Sequence, residues 1–171
     1  TIQAAGADMG RVIFSIVSLN SIWMRDYGPR YIYHGGCRAI VDHTYNVPRP
    51  LDNQFNSVFT NIVGHSRYEL PLRHGGGNYH LDALGIGRST RLIVNENPSF
   101  TEQQIHDIWD DYQNVSTTFY QPLPRSVDAT QHIDMWMQVI ADDAVIISDW
   151  PFNVGSTQDQ ICDAAAVSLS L

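Results

Sequence analysis

The sequence predicts an α/β protein built from repeated strand–strand–helix–strand units that share one domain. Three observations carry that expectation. Short β-branched or alternating runs bounded by Gly, Pro and Asp are interleaved with segments whose apolar residues recur at helical spacing. The helix-start pattern Thr101-Glu102-Gln103-Gln104-Ile105 nearly recurs as Thr157-Gln158-Asp159-Gln160-Ile161, 56 positions on. Asp26, Asp82 and Asp134 are spaced by 56 and 52 positions, and His80-Leu81-Asp82 echoes His132-Ile133-Asp134. A period of this length, with one supersecondary unit per period, reads as a repeat architecture. The units are expected at about residues 11–72, 75–122 and 130–171 of one domain spanning 1–171, with no low-complexity linker between them.

In the first unit, the apolar run Arg11 to Ser18 reads as a buried strand. Gly28-Pro29 breaks any helix in Trp23 to Tyr27, so this segment should turn and feed a strand at Arg30 to His34. Gly35-Gly36 closes a hairpin onto a return strand at Cys37 to Asp42. Phe55, Val58, Phe59 and Ile62 trace one face of a helix, and Tyr68 to Leu72 is a strand. In the second unit, Leu84 to Ser89 and Arg91 to Asn95 both read as strands. Thr101 with Gln104 forms a capping box for a helix whose buried face is Ile105, Ile108, Trp109 and Tyr112. Ser116 to Tyr120 is its closing strand. In the third, Thr130 to Val139 reads as a strand, followed by the Asp142-Asp143 turn, a strand at Ala144 to Ser148 and a helix from Thr157.

Composition narrows the partners. The formal net charge is −8, with ten Arg and no Lys. Such a surface argues against nonspecific nucleic-acid binding and against anionic membranes, and suits cationic ligands. No apolar run reaches membrane-spanning length. Two cysteines, Cys37 and Cys162, fit neither a disulfide scaffold nor a Cys-rich zinc site, and the seven His are scattered, so no metal site is expected. The compartment stays open.

On a strand, His132 and Asp134 would emerge side by side while Ile133 points into packing. Three repeats that each place a polar group at a strand entrance can converge those groups on one axis. The set is then Asp26, Asp134 and His132, with Asp82 and the Gly75–Gly77 loop nearby. Two facing carboxylates suit a planar cation such as a guanidinium, which each can grip bidentately. A histidine beside them can protonate a departing amine and then activate water. Each Asp can equally be a turn or cap residue, a common place for Asp.

Trp23-Met24-Arg25-Asp26-Tyr27-Gly28-Pro29, Gly76-Gly77-Asn78-Tyr79 through Asp82, Glu96-Asn97-Pro98 and Gln131-His132-Ile133-Asp134 stand in the order found in a known family. Over about residues 20–150 the chain resembles the bacterial (Porphyromonas-type) peptidylarginine deiminase and agmatine deiminase group of guanidino-modifying enzymes. The resemblance implies an α/β propeller, or pentein, of five pseudo-symmetric units, about three of which are represented here. It implies that Asp26 and Asp134 hold the substrate guanidinium and that His132 is the general acid and base. A cysteine thiolate would attack the guanidino carbon, ammonia would leave, and water would release citrulline from arginine or carbamoylputrescine from agmatine, without a cofactor. The implied partner is a small guanidino substrate or peptidyl arginine. Trp23 can wall the site with its flat ring or pack in the core, Arg49 can pair with a substrate carboxylate or stand as a solvated loop residue, and Asp82 is expected to contact the substrate from beside the set. The compartment would be cytoplasmic for an agmatine enzyme and extracellular for a peptidylarginine one.

The chain departs from that pattern at the nucleophile. In relatives the cysteine lies well beyond the His-x-Asp element, whereas Cys162 sits among helix-face residues and Cys37 follows a hairpin turn, so neither is expected to attack. The expectation is therefore a fragment of a longer enzyme, inactive alone, with exposed strand edges that favour a homo-oligomer or completion by the missing part. A two-arginine carboxylate clamp is reduced to Arg49 within Asn46-Val47-Pro48-Arg49-Pro50. His74 stands where agmatine deiminases carry an acid. A non-catalytic guanidinium-binding or scaffold domain is the alternative.

Overall fold

The computed structural model describes residues 1–170. Among them stand three small sheets, each followed or interrupted by helices. The first sheet has the order β1 (Arg30–His34), β2 (Cys37–Tyr45), β3 (Ser66–His74), with α1 (Met24–Tyr27) before it and α2 (Pro50–Asn53) and α3 (Phe55–Val63) between β2 and β3. β1 runs antiparallel to β2, with Tyr31 opposite Ile40, and β3 runs parallel to β2, with Tyr68 opposite Val41. The second sheet repeats that plan: β4 (His80–Leu81) antiparallel to β5 (Ile86–Thr90), then α4 (Leu92–Glu96) and α5 (Glu102–Gln113), then β6 (Ser116–Tyr120) parallel to β5. The third has β7 (Met137–Ala141) antiparallel to β8 (Ala144–Ile147), followed by α6 (Thr157–Leu169).

Local chemistry accounts for most of these elements. The Thr101 hydroxyl accepts the Gln104 N–H while the Gln104 side chain accepts the Thr101 N–H, which satisfies two N-terminal donors of α5. Ile105 and Trp109 are then fully buried. Trp109 stacks on Tyr79 with ring centroids 4.6 Å apart and planes 1° apart, and together with Val41, Leu70, Leu72 and Ile93 they form the core between the first two sheets. A second core of Leu123, Ile133, Trp136, Met137, Cys162 and Ala165 lies under α6. α6 begins at Thr157 as expected, with Ser156 as its cap, whose hydroxyl accepts the Asp159 N–H.

Three expected strands differ. Residues 12–18 form no strand, and Ile13, Phe14 and Ile16 are 88%, 75% and 101% exposed. A strand needs a neighbour for its N–H and C=O groups, and no described strand pairs with this run. Only its far end is anchored, where Val17 and Leu19 pack against Tyr27, Tyr45 and Phe55. Arg91 to Asn95 is helical (α4) rather than extended, with Leu92 and Ile93 buried and Asn97 capping the turn through its bond to the Ile93 carbonyl (2.8 Å). A short apolar run does not distinguish strand from buried helix by periodicity. Thr130 to Trp136 is likewise not a strand: Gln131 takes a positive φ of 59°, Ile133–Met135 is a 3₁₀ turn, and β7 begins only at Met137. The reason is visible in its backbone bonds, which go to side chains of the second unit. Thr90 Oγ1 donates to the Gln131 carbonyl (2.9 Å), and Ile133 N–H donates to Asn78 Oδ1 (3.1 Å).

Candidate active site

The residues preceding β1, the Gly75–Gly77 loop preceding β4 and the turn preceding β7 meet at one cleft. The entrance of the first unit is fixed from behind. The buried Asp52 carboxylate accepts the Asn20 N–H (2.7 Å), the Ser21 N–H (3.1 Å) and the Ser21 hydroxyl (2.6 Å), while Tyr27 Oη donates to the Ser21 carbonyl (2.7 Å). Buried His43 donates from Nε2 to the Asp26 carbonyl (2.8 Å) and stacks on His74 at 3.9 Å. Burial pushes His43 down to about 4 and His74 well below the usual histidine range, so both rings are neutral at pH 7.

The glycine loop is the floor. Buried Arg30 donates from Nη2 to the Gly76 carbonyl (2.7 Å) and the Tyr79 carbonyl (2.9 Å), pinning the loop beneath the site. Gly77 N–H donates to Asp26 Oδ1 (2.9 Å). A Cβ at Gly77 would stand 2.7 Å from Asp134 Oδ2, 2.8 Å from His132 Nδ1 and 2.9 Å from Asp26 Oδ1. One backbone position therefore touches all three groups, and the loop can lie this close only because it has no side chain there. Gly75 is packed similarly, with His132 Cε1 2.7 Å from its Cβ position.

His132 Nδ1 lies 3.6 Å from Asp26 Oδ1, and Tyr45 Oη lies 3.4 Å from Asp26 Oδ2. Asp134 Oδ2 is 3.9 Å from Arg25 Nε. Burial raises the Asp134 carboxyl above the ordinary range; His132 and Arg25 oppose that rise and Asp26 adds to it. Arg25 is held on its far side by His80, whose Nε2 lies 2.9 Å from Arg25 Nη2. Burial first, then Arg25, Arg30 and Arg88, lower His80 to about 4, leaving a neutral ring able to accept that bond.

These groups open into a cleft of about 670 Å³ lined also by Trp23, Tyr45, Asn46, Arg49, Glu96 and Arg125. Its size suits a small organic ligand. Of the residues singled out from the sequence, Asp26, His132, Asp134, Trp23 and Arg49 are brought together here. Asp82 is not. Its carboxylate pairs with Arg88 (2.8 Å) and accepts the Leu84 and Ile86 N–H groups (3.0 and 2.9 Å), so it clasps the β4–β5 turn. Cys162 packs in the core under α6, where burial raises its thiol, and Cys37 is exposed at the start of β2; neither lines the cleft. Glu96 and Asn46 were not assigned roles from sequence. Burial pushes the Glu96 carboxyl up to about 7 despite the Asn46 Nδ2 hydrogen bond to its Oε1 (2.6 Å). Glu96 stands in the Glu96-Asn97-Pro98 stretch that carries part of the family resemblance, a signal that marks the position without giving its carboxylate a role. Among the described residues no cluster of three or more His, Cys, Asp or Glu could hold a metal ion.

The architecture is that of solved deiminases. The agmatine deiminase of Enterococcus faecalis superposes with a TM-score of 0.76 at 22% identity, covering 88% of this chain and 46% of that one. The C. jejuni agmatine deiminase gives 0.75 at 19% identity, covering 96% and 51%. The chain is an α/β protein of that deiminase fold. It belongs to the Porphyromonas-type peptidyl-arginine deiminase family, whose model matches residues 2–170. Among curated relatives, one from Shewanella sp. (strain W3-18-1), named "Putative agmatine deiminase", is 31% identical over 147 residues, 77% of this chain and 39% of that protein. One of the same name from Photobacterium profundum is 26% identical over 139 residues. The chain thus spans about two fifths of these curated relatives and about half of the solved structures.

Proposed function

We propose that this chain carries the substrate-holding half of a guanidino-group deiminase acting on agmatine or an arginine residue. The observation that carries the reading is the convergence of Asp26, His132 and Asp134 on Gly77 at the base of one cleft. Asp26 and Asp134 accept hydrogen bonds from the guanidinium nitrogens, and the flat cation relieves the mutual repulsion of the two acids. Trp23, half-exposed at the rim, offers an apolar wall, and Arg49 supplies a positive charge for a substrate carboxylate.

The chemistry follows from the group. A thiolate adds to the guanidino carbon, and a C–N bond breaks as His132 delivers a proton to the departing nitrogen, which leaves as ammonia. Water, deprotonated by the same imidazole, then adds to the thiouronium carbon and expels the thiolate, leaving a ureido product. The thiol is supplied from outside these residues, because both cysteines here stand away from the cleft. In this reading the whole is an α/β propeller of five pseudo-symmetric units, about three of which fall in this chain; the succession of three sheets supports it. The fold of the E. faecalis and C. jejuni deiminases and the names of the curated relatives support this reading. The same placement of the cysteines favours one other reading, a domain that binds guanidinium without turning it over.

The test is release of ammonia and a ureido product by the full-length gene product given agmatine or peptidyl arginine. Asp26→Asn and His132→Ala should each lower turnover by about 100-fold or more, the range of a lost acid–base group. Turnover indifferent to both changes would refute the assignment; binding without turnover would favour the second reading.

A further inference from the structure

The cleft contains a second polar pair that the deiminase chemistry does not use. Glu96, at the end of α4, and Asn46, just beyond β2, meet through the 2.6 Å bond from Asn46 Nδ2 to Glu96 Oε1. Both line the cleft that holds Asp26, His132 and Asp134. Among the described residues, neither Glu96 Oε2 nor Asn46 Oδ1 has a hydrogen-bond partner, although both atoms are buried. Two neighbouring acceptors left free and shielded from solvent are costly unless something donates to them. Gly75 separates the pair from the reacting centre: its Cβ position is 3.3 Å from Asn46 Oδ1 and 3.0 Å from His132 Nε2.

We propose that Glu96 and Asn46 form a subsite for the nitrogen at the far end of the substrate, the terminal ammonium of agmatine or the α-nitrogen of an arginine residue. The inference rests on reading Asp26 and Asp134 as the guanidinium clamp. The two nitrogens are one target, since agmatine is arginine without its carboxylate and carries its amine the same number of bonds from the guanidinium. Oε2 and Oδ1 accept the N–H groups, while Oε1 stays bound to Asn46 Nδ2 and keeps the carboxylate in place. Burial makes the Glu96 charge expensive when the subsite is empty, and an arriving ammonium offsets that cost. Arg49, also on the cleft wall, remains available to any carboxylate on the same substrate. The subsite therefore measures substrate length: guanidines that lack a nitrogen at this distance leave the two acceptors unmet.

Calorimetry on the 171-residue chain with propylguanidine, agmatine and Nα-acetylargininamide tests this. All three carry the guanidinium head, but only the last two carry the distal nitrogen, as an ammonium and as an amide N–H. Agmatine should bind about tenfold or more tightly than propylguanidine, the scale of a hydrogen bond to a charged group. Glu96→Gln keeps an acceptor for Asn46 and replaces the free acceptor with a donor. It should reduce the agmatine-to-propylguanidine ratio to about twofold or less. Glu96→Ala, with folding checked by circular dichroism, should do the same. An acetylargininamide preference over propylguanidine that falls in parallel assigns the subsite to the α-nitrogen of peptidyl arginine as well; a preference confined to agmatine assigns it to a free ammonium. A ratio unchanged in both variants would overturn the subsite while leaving the clamp standing. Absence of propylguanidine and agmatine binding to the unaltered chain would overturn both.

Discussion

At the scale of single residues, the site is organised by what is missing at position 77. The backbone there approaches Asp26, His132 and Asp134 so closely that a methyl group has nowhere to go. The atoms it would strike are the tips of three cleft side chains rather than the backbone of the core. Gly77→Ala should therefore leave the chain folded, with less than about 2 kcal/mol lost, while lowering guanidinium affinity by tenfold or more. Thermal melts and titration with agmatine check the two halves of that prediction.

A second prediction at this scale concerns the neutral His43–His74 stack behind Asp26. A histidine whose folded pKa lies below its unfolded value binds fewer protons folded than unfolded, so it opposes folding as pH falls. Stability should be full above pH 6.5 and decline as pH falls toward about 4, with His43 alone contributing about 3 kcal/mol to that loss. Denaturant midpoints across this range should show the decline. His43→Asn, which keeps a side-chain amide donor for the Asp26 carbonyl, should flatten it.

At the scale of elements, the legible parts of the sequence were those whose stability is local. The α5 capping box and its Ile105–Trp109 face depend on residues within one helix, and both stand in the structure as the spacing implied. The β1–β2 hairpin at Gly35-Gly36 is of the same kind. The elements misread were those whose backbone bonds are made elsewhere in the chain. Thr130 to Trp136 has alternation suited to a strand, but Asn78 Oδ1 takes the Ile133 N–H together with the Thr90 N–H, and this cross-unit claim overrides the local pattern. His132 and Asp134 reach one cleft through a turn held by another unit, a route their alternation could not reveal. Asp82 shows the converse. Its spacing matched Asp26 and Asp134, yet Arg88, six residues on, captures it. The strongest element-level dependence is the Tyr79–Trp109 stack, which joins α5 to the end of the glycine loop. Trp109→Ala should cost about 3–5 kcal/mol. Against a typical total of about 5–15 kcal/mol, denaturant unfolding should show a large loss of midpoint and, with the loop released, weakened ligand binding.

At the scale of the molecule, the fold's repetition is what makes the site possible. Each sheet is preceded by a segment that delivers polar groups to a common place: Asp26 before β1, the Gly75–Gly77 loop before β4, and His132 and Asp134 before β7. No single unit lines the cleft alone; it exists only where the three meet. The chain spans about two fifths of the curated relatives, and Asp26, His132 and Asp134 line one cleft within that span. The most direct measurement is calorimetric titration of this chain, and of its Asp26→Asn and Asp134→Asn variants, with agmatine and with the neutral ureido analogue carbamoylputrescine. The account predicts that agmatine binds at least about tenfold more tightly than the ureido compound, and that either substitution removes most of that preference. Equal affinity for the two ligands, or a preference that survives both substitutions, would contradict it.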